Sequence, residues 1–461
     1  MADTSKHFHF VGICGTAMGS VAAAMKQRGH TITGSDSNVY PPMSTFLLDQ
    51  GVEITSGFAA ENIPASADQV IIGNAISRGN EEAEAVLERK LLYVSLPEIL
   101  KTEFLRGKSN HVVAGTHGKT TTTSLLAWIM LDGGLDPSFM IGGLPKNLGV
   151  GAQFTESQHT VLEGDEYDTA FFDKRSKFLH YLPEVVIINN IEFDHADIYD
   201  SLDEIKLSFR RLLNIVPRNG IAFINGDDAN CIDVASSAPA PVSRVGFGKD
   251  CDRRLTDVTY SETGSAFTLA GERYEVPMAG EFNVRNAAMA VSAARHAGLS
   301  QEKVQGSLAK FEGIARRQEV RGIVRGVRVI DDFGHHPTAI AQAIQAMRNQ
   351  YPNGKIWAVF EPRSNTSQRN IFQKELGEAL AEADGSLIPP ISAPEKFRPE
   401  DRLDPEAVVA AVRAAGKDCY YEPGVDAIIA RLKPLVQDGD TIVVLSNGGF
   451  GGIHDRLLNE L

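Results

Sequence analysis

Between a strand-like run and a helical run, the chain carries Gly115-Thr116-His117-Gly118-Lys119-Thr120-Thr121. A strand, a glycine turn and a helix start bind nucleotide phosphates, because glycines let backbone N–H groups approach the oxygens and the helix N-terminus adds partial positive charge. In this shortened phosphate-binding loop, we expect Lys119 to reach the β- and γ-phosphates and the Thr120 hydroxyl to hold Mg²⁺. The alternative is a helix start rich in glycine and threonine that binds no ligand.

Length and composition limit the classes of protein that this chain can represent. Its 461 residues suggest about three domains of ordinary size. The net charge of −14 argues against binding to nucleic acid or to an anionic membrane. Four scattered cysteines without a C-x-x-C pair suit a reducing cytosol. The polar start, Met1–Lys6, predicts no signal peptide, and no apolar run has transmembrane length, so we expect a cytoplasmic protein.

The first segment, residues 1–107, begins with a strand, a glycine turn and a helix, followed by a second strand that ends at Asp36. This order predicts a βαβ unit whose turn holds a phosphate and whose acidic residue accepts hydrogen bonds from a ribose or a base. The alternative for Asp36 is a solvated carboxylate that caps the next turn. A later strand runs into Asn74-Ala75-Ile76-Ser77, and ligands of open α/β sheets bind at such carboxyl ends of strands.

The middle segment, residues 108–320, has acidic residues and a histidine after two further strands. Thr160-Val161-Leu162 ends at Glu163, and the predicted strand Glu184–Ile191 ends shortly before Asp194-His195. Runs of β-branched residues are typical of parallel strands buried on both faces, so we expect these side chains to gather beside the phosphate loop. Carboxylate oxygens suit Mg²⁺, whereas histidine is an uncommon ligand for it. Helix capping and a surface ion pair are the alternative for Asp194, His195 and Asp197.

The last segment, residues 321–461, repeats the pattern of strand, polar loop and helix. One strand ends at Asp331-Asp332, ahead of His335-His336 and of Pro337, which favours a helix start. Two more strands end ahead of Arg363-Ser364-Asn365 and of Ser446-Asn447-Gly448-Gly449. For the two histidines, one packed ring and one exposed ring is the alternative to a functional pair.

Six motifs in this order are similar to those of the Mur ligase superfamily and span nearly the whole chain. Besides the phosphate loop, they are Glu163–Glu166, Asn190–His195, Gly280–Asn286, Arg316-Arg317 and Asp331–Thr338. The glycine turn and the Asp-His-His-Pro element resemble the branch of the superfamily that binds UDP-N-acetylmuramate. The resemblance implies an α/β fold of three domains: a Rossmann-like UDP-binding domain at 1–107, a P-loop ATPase-like domain at 108–320 and a Rossmann-like domain at 321–461.

The resemblance also implies the activity. An ATP-dependent amide ligase would join UDP-N-acetylmuramate to the murein tripeptide L-alanyl-γ-D-glutamyl-meso-diaminopimelate through an acyl phosphate. The stretches Ser37–Thr45, Asp173–Phe178 and Asn447–Gly452 favour this peptide over free L-alanine. The branch member that adds L-alanine is the alternative. A nucleotide-dependent oxidoreductase and a noncatalytic ATP-binding switch are more remote, and we expect a monomer or a weak homodimer.

The family's functional residues can be carried over where this sequence matches its motifs. The UDP part would be bound by Gly15, Thr16, Asp36, Asn74 and Ser77. MgATP would be bound by Gly115, Thr116, His117, Gly118, Lys119, Thr120 and Thr121, with Asn283 and Asn286 on adenine, Arg317 near the phosphates and Asp332 on the ribose. Thr120 would hold a first Mg²⁺, and Glu163 and His195 a second.

The resemblance also implies residues for the amine substrate, and the sequence differs from the family's motifs at two positions. Arg363, Asn365 and Asn447 would bind the peptide, and His336 or a nearby carboxylate would accept the proton of the amine. Phe282 stands where the adenine motif usually has histidine, so ring packing would replace a hydrogen bond there. Lys206 is out of register for the carbamylated lysine found in many members of the superfamily, and we give it no such role.

Overall fold

A computed structural model describes residues 5–196 and 198–461. The first four residues of the polar start, Met1–Thr4, and Asp197 of the capping alternative lie outside these ranges. In the described part of the chain, helices long and apolar enough to cross a membrane are absent. The described chain forms three main sheets, each built from one contiguous stretch of sequence.

The first sheet has five parallel strands in the order β3-β2-β1-β4-β5. Its elements are β1 (His7–Val11), α1 (Thr16–Gln27), β2 (Thr31–Asp36), α2 (Met43–Asp49), β3 (Glu53–Ser56), β4 (Gln69–Ile72), α3 (Glu81–Glu88), β5 (Tyr93–Ser95) and α4 (Leu96–Leu100). Asn80 starts α3 because its side chain accepts hydrogen bonds from the N–H groups of Glu82 and Ala83. The predicted βαβ unit, β1-α1-β2, is present.

The second sheet has ten strands in the order β17-β16-β15-β14-β13-β12-β6-β9-β7-β8 and is parallel from β15 to β7. Its elements, with the separate hairpin β10-β11, are β6 (Ser109–Ala114), α5 (Lys119–Asp132), β7 (Ser138–Met140), β8 (Ala152–Gln153), β9 (His159–Glu163), β10 (Asp168–Ala170), β11 (Asp173–Ser176), β12 (Val185–Ile188), α6 (Leu202–Asn214), β13 (Ile221–Asn225), α7 (Ala229–Ala235), β14 (Val242–Gly246), β15 (Arg253–Ser261), β16 (Gly264–Leu269), β17 (Glu272–Val276), α8 (Glu281–His296) and α9 (Gln301–Ala309). The four residues of β12 are all buried, as expected for a strand covered on both faces.

The strand predicted over Glu184–Ile191 was too long, because β12 ends at Ile188. Asn189 still donates its N–H to Ala114 O at 3.0 Å. Asn190 then turns toward the phosphate loop, where its Oδ1 accepts the His117 N–H at 2.7 Å. Asn190 therefore hydrogen-bonds to the phosphate loop instead of continuing strand β12.

The third sheet has six strands in the order β18-β19-β23-β20-β21-β22, parallel except for β18. Its elements are β18 (Glu319–Val324), β19 (Val327–Asp332), α10 (Pro337–Gln350), β20 (Ile356–Phe360), α11 (Gln373–Leu380), β21 (Gly385–Ile388), α12 (Pro405–Ala414), β22 (Asp418–Tyr421), α13 (Val425–Leu432), β23 (Thr441–Leu445) and α14 (Ile453–Glu460). Pro337 is the first residue of α10, as its restricted φ favours. The α/β architecture is confirmed, and the boundaries at 107 and 320 stay predictions.

One buried histidine in the second sheet predicts a pH-dependent stability. His111 on β6 is fully buried, and neither ring nitrogen has a hydrogen-bond partner within the described residues. Burial, with smaller repulsion from His159 and His296, lowers the pKa of His111 to about 3. The unfolded chain, with an ordinary pKa of about 6.5, binds the proton more readily, so stability is complete above that value and declines as pH falls toward 3. The loss at pH 5 should be about 2 kcal/mol, from roughly 1.5 pKa units at 1.36 kcal/mol each.

We expect His111→Phe to flatten this pH dependence. Urea unfolding at pH 7 and pH 5 can be followed by fluorescence in a Trp357→Phe background, where Trp128 on α5 is the remaining tryptophan. The half-buried His30 provides a control variant, His30→Asn. Equal pH dependence in the background protein and His111→Phe would refute the assignment.

Candidate active site

A cleft of about 1680 Å³ opens where the three sheets meet. It lies beyond the carboxyl ends of β1, β6 and β19, the position at which open α/β sheets bind ligands. Of the predicted site residues, the cleft is lined by Gly15, Thr16, Asp36, Asn74, Ser77, Thr116, His117, Gly118, Lys119, Thr120, Thr121, Glu163, His195, Asn283, Arg317, Asp332 and His336. The lining does not include Gly115, Asn286, Arg363, Asn365 or Asn447.

The phosphate loop requires glycine at two positions. Gly115 and Gly118 have φ values of +131° and +78°, which side chains disfavour. A Cβ at Gly118 would also lie 2.5 Å from Oδ1 of Asn286, so Asn286 supports the loop from behind. Asn190 holds the other side, because its backbone oxygen accepts the Thr116 N–H at 3.0 Å. The loop is thus fixed before a ligand arrives.

Lys119 is bound to its own loop and to a buried carboxylate. Its Nζ donates to the backbone oxygens of Gly115 at 2.7 Å and Thr116 at 3.2 Å, and it pairs with Glu166 at 2.9 Å. Burial alone would lower the pKa of Lys119, but Glu166 and the neighbouring Asp165 raise it overall. The ammonium group is therefore charged at neutral pH and lies at the centre of the predicted phosphate site.

Thr120 and Glu163 form an oxygen-rich corner beside Lys119. The Glu163 carboxylate accepts the Thr120 hydroxyl at 2.8 Å and the Gly142 N–H at 2.6 Å. Arg317, from the segment before β18, donates to Thr120 Oγ1 at 3.3 Å. Burial lowers the pKa of Arg317, and Asp332 and Glu163 oppose this effect. A hydroxyl and a carboxylate at one corner are the hard donors that Mg²⁺ prefers, so this corner fits that ion.

His195 joins this region through Glu166, a residue of the Glu163–Glu166 motif for which the sequence predicts no role. Its Nε2 lies 2.9 Å from Oε1 of Glu166, the oxygen that also accepts from Lys119. Burial alone would lower the pKa of His195, but the hydrogen bond and charge of Glu166 raise it overall. His195 has a φ of +55°, uncommon for a side-chain residue. The capping alternative explains neither this backbone conformation nor the shared carboxylate.

Asp194, next to His195, is a buried ionised carboxylate. Burial alone would raise the pKa of Asp194, but His195 and the two histidines His335 and His336 lower it to about 2. Neither of these two histidines is exposed, so the alternative of one packed and one exposed ring is wrong.

His336 caps the start of α10. Its Nδ1 accepts the Thr338 N–H at 3.3 Å, and its Nε2 lies 3.2 Å from the Phe193 backbone oxygen. Burial, followed by repulsion from His117, lowers the pKa of His336 to about 4, so the ring is neutral at physiological pH. Both ring nitrogens are engaged here, and a role as proton acceptor would require one of these contacts to open.

The predicted adenine and ribose residues lie along one wall. Asn283 Nδ2 donates to the Ala279 backbone oxygen at 2.8 Å and to Gln318 Oε1 at 3.0 Å. Phe282 lines the cleft beside it, which gives a flat apolar surface where a histidine was expected. Asp332 accepts the Gln318 N–H at 2.9 Å, and burial raises its pKa. Arg317 lies over the ring of Phe333, 4.7 Å from its centroid.

Asp36 fixes the glycine turn at the other end of the cleft. Its two oxygens accept the N–H groups of Cys14 and Asn38, each at 2.9 Å. The capping contact of the alternative is therefore present, yet the carboxylate also lines the cleft. Gly15 caps α1 and Thr16 begins it, so this helix N-terminus faces the same space. Asn74 donates to the backbone oxygen of Asp168 on β10, which ties the first sheet to the hairpin.

Arg363 and Asn447 follow neighbouring strands, β20 and β23, but do not line the cleft. Arg363 is half exposed, pairs with Glu361 at 3.7 Å, and packs so closely on Gly448 that a Cβ there would lie 2.3 Å from its Cδ. Arg316, a residue without an assigned role, donates to the backbone oxygen of Gly448 at 2.7 Å. These contacts bring the loop after β20 and the loop after β23 together beside the cleft. We call the surface formed by Arg363, Asn447 and Gly448 the Arg363 edge.

The basic run on the hairpin is neutralised by its neighbours. Lys174 pairs with Asp168 at 2.5 Å, and Arg175 with Asp173 at 2.7 Å. Lys177 pairs with Asp165 at 2.6 Å and lines the cleft. Of these three basic side chains, Lys177 therefore faces the site. Separately, Lys206 on α6 pairs with Asp233 and is not part of the cleft lining.

Comparisons with known proteins place this geometry in a family. Three family models match consecutive parts of the chain: "Mur ligase family, catalytic domain" at residues 7–106, "Mur ligase middle domain" at 113–294 and "Mur ligase, glutamate ligase domain" at 316–448. A UDP-N-acetylmuramate–L-alanyl-γ-D-glutamyl-meso-2,6-diaminoheptandioate ligase from Escherichia coli is 42% identical over 457 residues, with 98% of both chains covered.

Two further proteins are similar over almost their full length. A UDP-N-acetylmuramate–L-alanine ligase from Geotalea uraniireducens is 32% identical over 98% of this chain and 97% of its own. The crystal structure of a murein peptide ligase from Psychrobacter arcticus has a TM-score of 0.70 and 35% identity, with 99% of this chain and 98% of that one covered. The chain thus belongs to the Mur ligase family, whose members are ATP-dependent ligases that form amide bonds.

Proposed function

We propose that the protein joins UDP-N-acetylmuramate to L-alanyl-γ-D-glutamyl-meso-diaminopimelate in the cytoplasm, as a step of peptidoglycan recycling, and acts as a monomer or weak homodimer. The observation that carries the ligase chemistry is the single cleft, which joins the phosphate loop to the Asp36 turn and to the His336 loop. The peptide is supported by the 42% identity to a ligase of that peptide, against 32% to an L-alanine ligase.

The reaction would begin with activation of the lactyl carboxylate. A carboxylate oxygen attacks the γ-phosphorus of ATP, ADP leaves, and an acyl phosphate forms. The amine then attacks the acyl carbon, and phosphate leaves as the amine loses its proton. Lys119 and Arg317 would hold the phosphate oxygens and offset their charge, which is the main task of a phosphoryl-transfer site. His336 or a nearby carboxylate would take the proton.

Mg²⁺ fits the oxygen-rich corner. Thr120 would hold a first ion, and Glu163 with His195 a second, with Glu166 orienting His195 through their 2.9 Å contact. When bound, such ions neutralise the developing charge on the transferring phosphoryl group. Asn283 would contact adenine and Asp332 the ribose, with Phe282 packing on the base. Asn286, predicted to contact adenine too, lies behind the loop and would act there through its 3.3 Å hydrogen bond to Asn283.

We expect Asp36→Ala to weaken UDP-N-acetylmuramate binding about tenfold or more and to leave ATP binding unchanged. A charged hydrogen bond to the ligand is lost, and the Cys14 N–H loses its acceptor. Calorimetry with each nucleotide measures both affinities. Asp49→Ala, an exposed carboxylate on α2, is the matched control. Equal uridine-nucleotide affinity in Asp36→Ala and wild type would place the ligand elsewhere.

The amine specificity tests the proposed function directly. Phosphate release should be far faster with the tripeptide than with L-alanine, because the peptide's carboxylates need the cations and N–H donors of the Arg363 edge. Arg363→Ala should raise the apparent KM for the tripeptide roughly tenfold or more. Lys374→Ala removes an exposed cation from α11 and should leave this KM unchanged. Faster release with L-alanine would reject the peptide and favour the L-alanine ligase.

A further inference from the structure

Three side chains from different segments converge beside the phosphate loop, apart from the corner assigned to Mg²⁺. His117 belongs to the loop, Glu192 follows β12, and His336 caps α10. Oε2 of Glu192 lies 3.3 Å from His117 Nε2 and 3.7 Å from His336 Nδ1. All three ligand atoms lie within 4.8 Å of one another. Ligand atoms that each lie about 2.0–2.2 Å from one shared ion are separated from one another by distances of this size.

The surrounding contacts prepare these groups to act as ligands. The His336 Nε2–H group can donate to the Phe193 backbone oxygen, so Nδ1 carries the lone pair; it accepts the Thr338 N–H at 3.3 Å and lies 3.7 Å from Glu192 Oε2, and a bound ion would take the place of the weak Thr338 contact. The Thr338 hydroxyl donates to Glu192 Oε2 at 2.7 Å. Outer hydrogen bonds of this kind orient metal-binding histidines and carboxylates in metalloproteins.

We propose that His117, Glu192 and His336 form a site for a borderline divalent cation of the Zn²⁺ class. Two imidazoles and one carboxylate are a donor set that suits Zn²⁺ and disfavours Mg²⁺, which prefers oxygen ligands. Because the ligands come from the phosphate loop, the β12 loop and α10, a bound ion would clamp the third sheet's helix to the phosphate loop. A bound cation would therefore fix the position of α10 relative to the phosphate loop.

The test uses the full-length protein without nucleotide and with Mg²⁺ in excess. Calorimetric titration with Zn²⁺ should show one ion bound per chain, and Co²⁺ should give the absorption spectrum of a low-coordinate site. The bound ion should also raise the thermal midpoint, since it binds the folded state. Glu192→Gln and His336→Asn should each weaken Zn²⁺ binding by about tenfold or more, the range that loss of even an outer-shell partner reaches.

Two controls keep this site separate from the Mg²⁺ corner. His195→Asn and His30→Asn should bind Zn²⁺ as wild type does. A wild-type protein that binds no Zn²⁺ would overturn the proposal, whatever the fate of the variants. So would unchanged affinity in folded Glu192→Gln and His336→Asn, or loss of binding in His195→Asn. The readouts are Zn²⁺ binding and the thermal midpoint without nucleotide, so they are distinct from the ligase reaction, in which His336 is a candidate proton acceptor and which is measured separately by phosphate release.

Discussion

Lys119→Met should reduce turnover at least about a hundredfold, the loss typical of removing a group that stabilises transition-state charge, and should leave UDP-N-acetylmuramate binding intact. The ammonium group lies within the phosphate loop, whereas Asp36 ends β2 in the first sheet. Phosphate release gives the turnover, and calorimetry gives the two nucleotide affinities. Wild-type turnover in this variant would remove Lys119 from the reaction.

A second variant separates chemistry from stability. Lys119 neutralises Glu166, whose side chain is 2% exposed, and breaking a buried pair costs about 3–5 kcal/mol of folding stability. Lys119→Met combined with Glu166→Gln removes both charges, so it should recover stability without recovering turnover. Recovery of turnover in the double variant would show that the single variant had failed through misfolding alone.

Glu163→Gln should lower turnover roughly a hundredfold while ATP binding changes little, and His195→Asn should act in the same direction. The Glu163 carboxylate joins the Thr120 hydroxyl and the Gly142 N–H, and His195 reaches this region through Glu166. Loss of a ligand to the ion that acts on the transferring group should weaken the transition state more than the ground state. Turnover measured against Mg²⁺ concentration should show a higher requirement in both variants.

Glu156→Gln is the control for this experiment, because Glu156 is 93% exposed and pairs with Arg28 away from the cleft lining. It should have wild-type turnover and Mg²⁺ dependence. If Glu163→Gln or His195→Asn matched this control at every Mg²⁺ concentration, the residue concerned would have a structural role only.

The fold could be predicted from the sequence because its signals are local. Strand-forming runs followed by glycine or acidic residues, as at Ala114–Gly115 and Leu162–Glu163, mark the carboxyl ends of parallel strands. The assembly of the three segments around one cleft could be inferred only from the family resemblance, since no spacing in the sequence encodes it. The prediction of the architecture therefore depends partly on local sequence patterns and partly on the resemblance to a known family.

The remaining parts of the site depend on contacts between distant residues. Glu166 binds Lys119 and His195, which are 47 and 29 positions away, and only its place in a quoted motif hinted at a role. The β-branched run predicts Asn190 within a strand, whereas the residue supports the phosphate loop. The position of Arg363 beside Gly448 follows from the adjacency of β20 and β23, which the order of strands in the chain does not reveal.

The carboxylate shared by Lys119 and His195 has a thermodynamic consequence. An anion that draws the Lys119 ammonium group onto its own oxygens leaves Glu166 bound to His195. Anion binding at the phosphate loop and ligand binding at His195 are then linked through the Glu166 carboxylate. This linkage is reciprocal, so a ligand bound at His195 alters the affinity of the loop for its anion by the same factor. Because Glu166 contacts both side chains, cooperativity between the nucleotide and a ligand bound at His195 would require no domain movement.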